Sequence, residues 1–580
     1  MSKKKRYVTD LLSIVIPVVL FASVYRCIGM YYAINDDITM QRVASGATTG
    51  TADGHIVFIR YFLGAIIAGL FDAFPGFDWY GMIMQGLILV CCIVVIRRIL
   101  RPADEDHRSI CIKVSGFLIL VPVIAYASVF FQFTVVAGVL GAASLFLLAS
   151  ASRESLPCDY VLSLVFFLMS YMIRVNVAYI TLPLIAVIIA GKICHMAADE
   201  GLFSRERSSN EKKKKLYVYC GRLLAVTIIG LAVYGGIRYS NQRAYGYEPW
   251  ATYSKYKHAR SLVMDYYGWP DYSDNKEFWD EEDISEEEYD CLSMYALIRD
   301  FDSQKMIDAG EYAEENYSDP GTFSNMIRNI RKAFEQSLKF KSVIYFWLIT
   351  IALLCMAILT IQGDRHAGLF LLVGVITELV ILVYILNRGR FPDRVAIAFL
   401  LQCTLSLLGF LLTRPVRSER YERVMCSAII LLGAVLTVAI GKNTYDRVKT
   451  YRSNMTVFEE AMDYLEEHSD NLYVTPTGVF STVRRFTVRD QQFPTNSAGT
   501  RGWSVYSPWN DKKYEDWGID TDGYILLDPR VYMLVSDMKD VELMQRYYLS
   551  EGIGDIEYNI MDTFGLSNGT EIYSVKFDVR

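Results

Sequence analysis

The chain is 580 residues long, 52% of them hydrophobic, with a formal net charge of −6. Apolar runs of roughly 17–22 residues recur along it, each long enough to cross about 30 Å of hydrocarbon, which excludes an ordinary soluble protein. No basic, aromatic-interleaved surface points to nucleic acid. The 11 cysteines fall mostly in or beside apolar runs, which speaks against a disulfide framework or a Cys/His metal site.

Lys3-Lys4-Lys5-Arg6 precede the first apolar run. The run is long and no small-x-small site follows, so it reads as a retained anchor rather than a cleaved signal. Spans are predicted at 11–33, 79–96, 111–130, 133–150, 160–173, 176–191, 221–238, 342–361, 367–386, 394–413 and 424–441. Basic linkers follow several of them: Arg97, Arg98 and Arg101; the stretch 192–215 with its run Lys212-Lys213-Lys214-Lys215; and Arg414, Arg417, Arg420 and Arg423.

The segment 56–74 decides the orientation. Were it a span, Arg97-Arg98 and the polylysine linker would face outward. Laid along the surface as an interfacial helix, it leaves all three basic linkers inside. Arg60, Gly64, Gly69 and Asp72 make it a poor span. The expectation is a multi-pass, polytopic α-helical cell-membrane protein of about eleven spans with a cytoplasmic N-terminus. Its transmembrane module is 1–441, with a first outer loop, 34–78, carrying the surface helix, and a large outer loop, 239–341. An extracytoplasmic α/β domain, 442–580, completes it.

Within the large loop, Tyr253 to Pro270 predicts an amphipathic helix ended by Gly268-Trp269-Pro270, and 284–338 is mostly helical from Ser285 onward. In the tail, 455–468 and 541–549 have helical spacing. Leu472-Tyr473-Val474 and 523–527 predict buried strands, and 572–577 alternates as a strand does. No Walker loop, GxSxG elbow, HExxH or Rossmann glycine pattern is present.

The chemistry-bearing residues gather on the face assigned as outer. Asn35-Asp36-Asp37 follow directly on the first span. Adjacent carboxylates repel, which holds one proton more tightly and poises the pair for base work. The competing role is a helix start, for which Asn-Asp-Asp is well suited. Arg388, Arg390 and Arg394 cluster between two spans, and Arg174 occupies a tight turn on the same face. Lys and Arg are disfavoured there, and a lipid phosphate would account for them through bidentate guanidinium contacts. Ion pairing, as of Arg394 with Asp393, is the competing account. His55, Arg60, Arg260 and Asp265 are further candidate donor or acceptor contacts, each with a structural role as its alternative.

The acidic pair after the first span, the surface helix, the number of spans and the soluble C-terminal domain resemble the GT-C membrane glycosyltransferases, which include protein mannosyltransferases and the aminoarabinose lipid A transferases. More narrowly, Asn35-Asp36-Asp37, the loop 45–50, Gly54-His55-Ile56, Asp78-Trp79-Tyr80 and Gly389-Arg390-Phe391-Pro392-Asp393-Arg394 are similar to a group of Gram-positive bacterial members of that superfamily. The resemblance covers most of 1–440 and rests on short motifs. It implies an inverting sugar transfer from a polyprenyl-phosphate donor to an acceptor hydroxyl on a cell-surface glycan or lipid, at the outer face. It assigns Asp36 as base with Asp37 as its partner, or the reverse, and Arg174, Arg388, Arg390 and Arg394 to the donor phosphate. No cofactor is required by the residues. A divalent metal on the two carboxylates is compatible with them, though no fuller set of oxygen ligands is visible. A surface-polysaccharide polymerase or ligase, and a lipid or polysaccharide transporter (flippase), are the alternatives.

Overall fold

A computed structural model describes residues 3–100, 125–199, 210–293, 302–317, 322–361, 364–413, 419–476, 483–490, 494–499, 502–521 and 523–580, with isolated positions between 114 and 120. Most of the predicted span 111–130 and the basic linker stretches 101–113, 200–209 and 414–418 lie outside them.

Among the described residues, eight helices are long and apolar enough to cross a membrane: Tyr7–Ile28, Trp79–Leu100, Leu156–Ile173, Val175–Ala198, Leu216–Tyr245, Lys341–Thr360, Arg365–Asn387 and Asp393–Leu412. The chain is a predominantly helical, polytopic membrane protein. In chain order its first elements are α1 (Lys3–Ser23, prolonged by a π turn Val24–Ile28), β1 (Tyr31–Tyr32), α2 (Asn35–Ser45), α3 (Tyr61–Ala73), α4 (Trp79–Leu100), β2 (Phe130–Phe131), α5 (Phe133–Ala149), α6 (Leu156–Ile173), α7 (Val175–Asp199) and α8 (Asn210–Tyr245).

The helix of segment 56–74 is not among these eight. This helix, α3, has 13 residues, about 20 Å at 1.5 Å per residue, well short of the hydrocarbon thickness. The first predicted span is also too long at its end. The helix stops at Ile28, and Tyr31–Tyr32 instead pair in parallel with Phe130–Phe131, which the sequence assigned to a span. Helix α5 is buried along its whole length and packs most extensively on α16 (Asp393–Leu412). A Cβ on Gly138 would stand 2.6 Å from the Ala398 Cα, so glycine sets that close approach.

Between α8 and the later spans lie α9 (Trp250–Ser261), α10 (Lys276–Glu281), α11 (Glu286–Ser293), α12 (Ser303–Tyr317) and α13 (Phe323–Leu338); α14 (Lys341–Thr360) and α15 (Arg365–Asn387) precede α16. Helix α15 carries one acid within its length, Glu378, whose Oε1 accepts from the Ser406 hydroxyl of α16 at 3.2 Å. The sequence reading passed over it.

Helix α17 (Glu419–Glu467) runs unbroken for 49 residues through the predicted boundary at 441/442. The tail then forms β3 (Leu472–Thr475), β4 (Ser497–Gly499), α18 (Pro508–Asp516), β5 (Val531–Val535), α19 (Lys539–Ser550), β6 (Ile556–Gly565) and β7 (Glu571–Val579). The sheet order is β4-β3-β5-β7-β6, with β3 parallel to β4 and β5, and β7 antiparallel to β5 and β6. The predicted strand at 523–527 is a buried 3-10 turn, Ile525–Leu527.

The loop helices and the tail share one hydrophobic core. Tyr253, Tyr256, Trp279 and Ile307 of the loop pack with Leu472, Val474, Val531 and Met544 of the tail. A strap, 483–490, ties this unit to the membrane helices. Tyr32 N–H donates to Arg484 O, Phe486 N–H to Met30 O, Asp78 N–H to Val488 O and Asp490 N–H to Gly76 O, all at 2.8–3.1 Å.

Candidate active site

Asp36 and Asp37 occupy the first turn of α2, where negative charge complements the helix dipole. Neither acts as a side-chain cap. Asp37 is fully buried, and its Oδ1 accepts from the Tyr80 hydroxyl at 2.7 Å and the Phe133 N–H at 3.1 Å. Oδ2 has no partner among the described residues. Burial, reinforced by the neighbouring Asp36 charge, pushes its carboxyl up to about 8, so Asp37 is mainly neutral at pH 7. Asp36 is half-buried, and its Oδ1 accepts from the Trp503 indole N–H at 2.9 Å. The pair is thereby divided into a neutral buried acid and an accessible carboxylate.

The loop 46–60 places the next layer. It passes against α3 where both sides are glycine. A Cβ on Gly64 would meet the Gly54 carbonyl oxygen at 2.1 Å. Beyond it, Phe58 N–H donates to Ile56 O at 2.6 Å across Val57, whose φ of +50° is strained for a β-branched residue. This tight turn delivers the Phe58 ring to the centre of the site. Phe58 stacks on Phe133 at 5.6 Å, takes the Trp503 edge at 4.9 Å, and has the Arg174 guanidinium and Lys257 ammonium at 5.5 and 5.4 Å.

Phe58 also lines a cavity of about 240 Å³, together with Arg60, Arg174 and Lys257 and with Asn176, Asn241 and Ser254. Arg174 is the single extended residue between α6 and α7, and the Arg60 backbone caps α3. Burial and the nearby Arg394 charge lower the Arg174 guanidinium, while Asp36 opposes the shift. Burial pushes Lys257 down to about 8, with Arg174 and Arg60 adding repulsion. The Arg60 Nε is buried without a hydrogen-bond acceptor among the described residues. Three cations thus converge on a pocket whose described lining contains no carboxylate.

The structure brings Asp36, Asp37, Arg60, Arg174 and Arg394 to this region and gives Arg388, Arg390, Asp265 and His55 partners of their own. Arg390 forms an ion pair with Asp265, and Arg388 donates to the Tyr384 hydroxyl at 2.9 Å. The ion-pair role weighed for this cluster therefore describes Arg390. His55 bonds Asp53 at 2.7 Å and stacks on Trp250 at 4.2 Å, a structural cage. Arg260 lies beside the buried Tyr256.

Sequence reasoning missed Lys257, Phe58 and Trp503. Lys257 had a signal. Ser254 and Lys257 are spaced i, i+3 on α9, one helical face, whereas the predicted Arg260 shares the adjoining face with Tyr256. Among the described residues no group of three or more His, Cys, Asp or Glu converges as a metal site. No family model matches the chain, and no curated protein or solved structure matches it either.

Proposed function

We propose that the chain is a GT-C-type glycosyltransferase of about eleven spans that moves a sugar from a polyprenyl phosphate to an acceptor hydroxyl at the outer face of the membrane. One observation carries the reading: Phe58 lines a cavity with Arg60, Arg174 and Lys257, and its ring packs on Trp503, whose indole N–H holds Asp36. The cavity is smaller than the roughly 300–1,000 Å³ of drug-sized ligand sites, so it suits a phosphate head group and not the lipid chain.

Asp36 takes the proton of the acceptor hydroxyl, and the oxygen so released attacks the anomeric carbon. The bond from that carbon to the phosphate oxygen breaks. Its electron pair stays on the phosphate, where Arg60, Arg174 and Lys257 stabilise the developing charge in a partly dry site. Neutral Asp37 keeps a second anion away from the leaving phosphate. A polymerase or ligase would use the same cations without needing the carboxylate.

The test is sugar transfer from polyprenyl-phosphate hexoses by Asp36→Asn. Loss of at least a hundredfold in kcat is expected for removal of a general base. Retention of wild-type turnover would sink the assignment.

A further inference from the structure

The C-terminal domain reaches into this site. Trp503 is 467 residues from Asp36 in sequence, yet its indole N–H donates to the Asp36 Oδ1 at 2.9 Å. The ring is buried, with its edge against Phe58 at 4.9 Å and Trp509 perpendicular to it at 5.9 Å. Its backbone is pinned as firmly. The Tyr253 hydroxyl donates to the Trp503 carbonyl at 2.8 Å, and the Tyr256 hydroxyl to the Gly502 carbonyl at 3.1 Å. Gly502 has a φ of +97°, a conformation few other residues adopt. Tyr253 and Tyr256 belong to α9, the helix whose neighbouring face supplies Lys257 and Ser254 to the cavity. One helix therefore fixes both the group that holds the carboxylate and a cation meant for the phosphate.

We propose that Trp503 is a positioning residue for Asp36, so that the site is composite and the C-terminal domain completes it. A carboxylate has two oxygens and a freely turning χ2. A single N–H donor on Oδ1 restrains the turning of the group and leaves Oδ2 for the acceptor hydroxyl. The donor is charge-assisted and rigid, so the orientation is set before the acceptor arrives. This role rests on the glycosyl-transfer reading above.

Two measurements on the full chain in lipid nanodiscs test it. The first is activity-independent. With indole-¹⁵N tryptophan, Asp36→Asn should shift one of the eight indole resonances, because a carboxamide accepts more weakly than a carboxylate, and leave the others in place. Trp503→Phe should delete that same resonance. An unmoved set of resonances in Asp36→Asn overturns the contact.

The second is a kinetic split, using polyprenyl-phosphate mannose, glucose, galactose and N-acetylglucosamine as donor probes and a cell-envelope extract as acceptor. Trp503→Phe keeps the ring and loses the N–H. It should lower kcat at least tenfold while the donor KM stays within about twofold, since the phosphate site is untouched. Should that variant not fold, Tyr253→Phe frees the Trp503 carbonyl and should show the same split at smaller size. Unchanged kcat, or a change confined to KM, overturns the positioning role alone. No turnover of any donor by the wild type overturns glycosyl transfer, and this role with it.

Discussion

The Tyr80 hydroxyl donates to Oδ1 of Asp37 at 2.7 Å inside a wall where the Asp37 side chain has no exposed surface. Burial makes this carboxyl cheaper to keep neutral than ionised and outweighs the Tyr80 and Phe133 donors, which favour the ionised form. Its pKa is raised by burial from the ordinary 3.8 to about 8. Between roughly pH 4 and 8 the folded protein therefore holds a proton that the unfolded chain has lost, and stability falls as pH rises through that window. Asp37→Asn mimics the neutral acid and should flatten the fall. Thermal midpoints of both proteins from pH 5 to 8.5 test this. Parallel curves would rule out a neutral Asp37.

The same wall predicts a sharp difference between two substitutions at one position. Asp37→Ala strands the Tyr80 hydroxyl and the Phe133 N–H without their acceptor. Each buried orphan costs about 1–3 kcal/mol. Asp37→Asn retains an acceptor oxygen and should cost less than half as much. Denaturant titration in one detergent compares them, and equal losses would contradict the bonding scheme.

Lys257 sets a pH limit on the cavity. Its ammonium is lowered by burial to about 8, so it carries its charge below that pH and loses it above. Sulfate is a suitable probe because its own charge is constant from pH 6 to 10. Sulfate affinity should be highest below pH 8 and fall about tenfold by pH 10, the equivalent of one charge-assisted contact. Lys257→Met should bind weakly throughout and lose the pH dependence. Calorimetry that finds the same profile in both proteins would remove Lys257 from the site.

What the sequence made legible was local. The helices at 286–293, 303–317 and 323–338 and the strand at 571–579 follow from short-range spacing of apolar residues, and the structure has all four. The expectation for 56–74 also rests on local grounds, its charges and glycines, and its helix has 13 residues. The site was only half legible for the same reason. Asp36 and Asp37 announce themselves as neighbours in the chain. Their true partners, Trp503, Tyr80 and Phe133, are brought up by tertiary packing that no window of residues contains. Within the cluster at 388–394, a run of cations does not reveal that Asp265 lies beside Arg390, nor that Arg394 lies near Asp37 and Arg174.

That ion pair separates two arginines the sequence treated alike. Arg390 and Asp265 are each about one-third exposed, 38% and 32%, so their mutual attraction contributes about 0.2–1 kcal/mol. Arg174 instead lines the cavity. Arg174→Ala should weaken sulfate binding at least tenfold, whereas Arg390→Ala should change it less than twofold. Comparable losses in the two variants would return the phosphate site to the 388–394 loop.

The strap offers the strongest mechanical prediction. Arg484 is 2% exposed, and its guanidinium donates to Gln41 of α2 and, at 2.7 Å, to Asp490 of its own segment. It thereby fastens the C-terminal domain to the helix that bears Asp36. Removing one partner of a buried ion pair costs about 3–5 kcal/mol, because the other charge stays buried. Arg484→Met should lower the thermal midpoint and speed proteolysis of the tail, while the strap's four backbone bonds to the 30–32 and 76–78 segments hold it in place. Sulfate affinity should persist, since the described cavity lining that holds Arg60, Arg174 and Lys257 includes no residue of the strap. Transfer should fall with the loosening of Trp503. A stable variant that transfers at the wild-type rate would show that the fastening is not what holds the carboxylate.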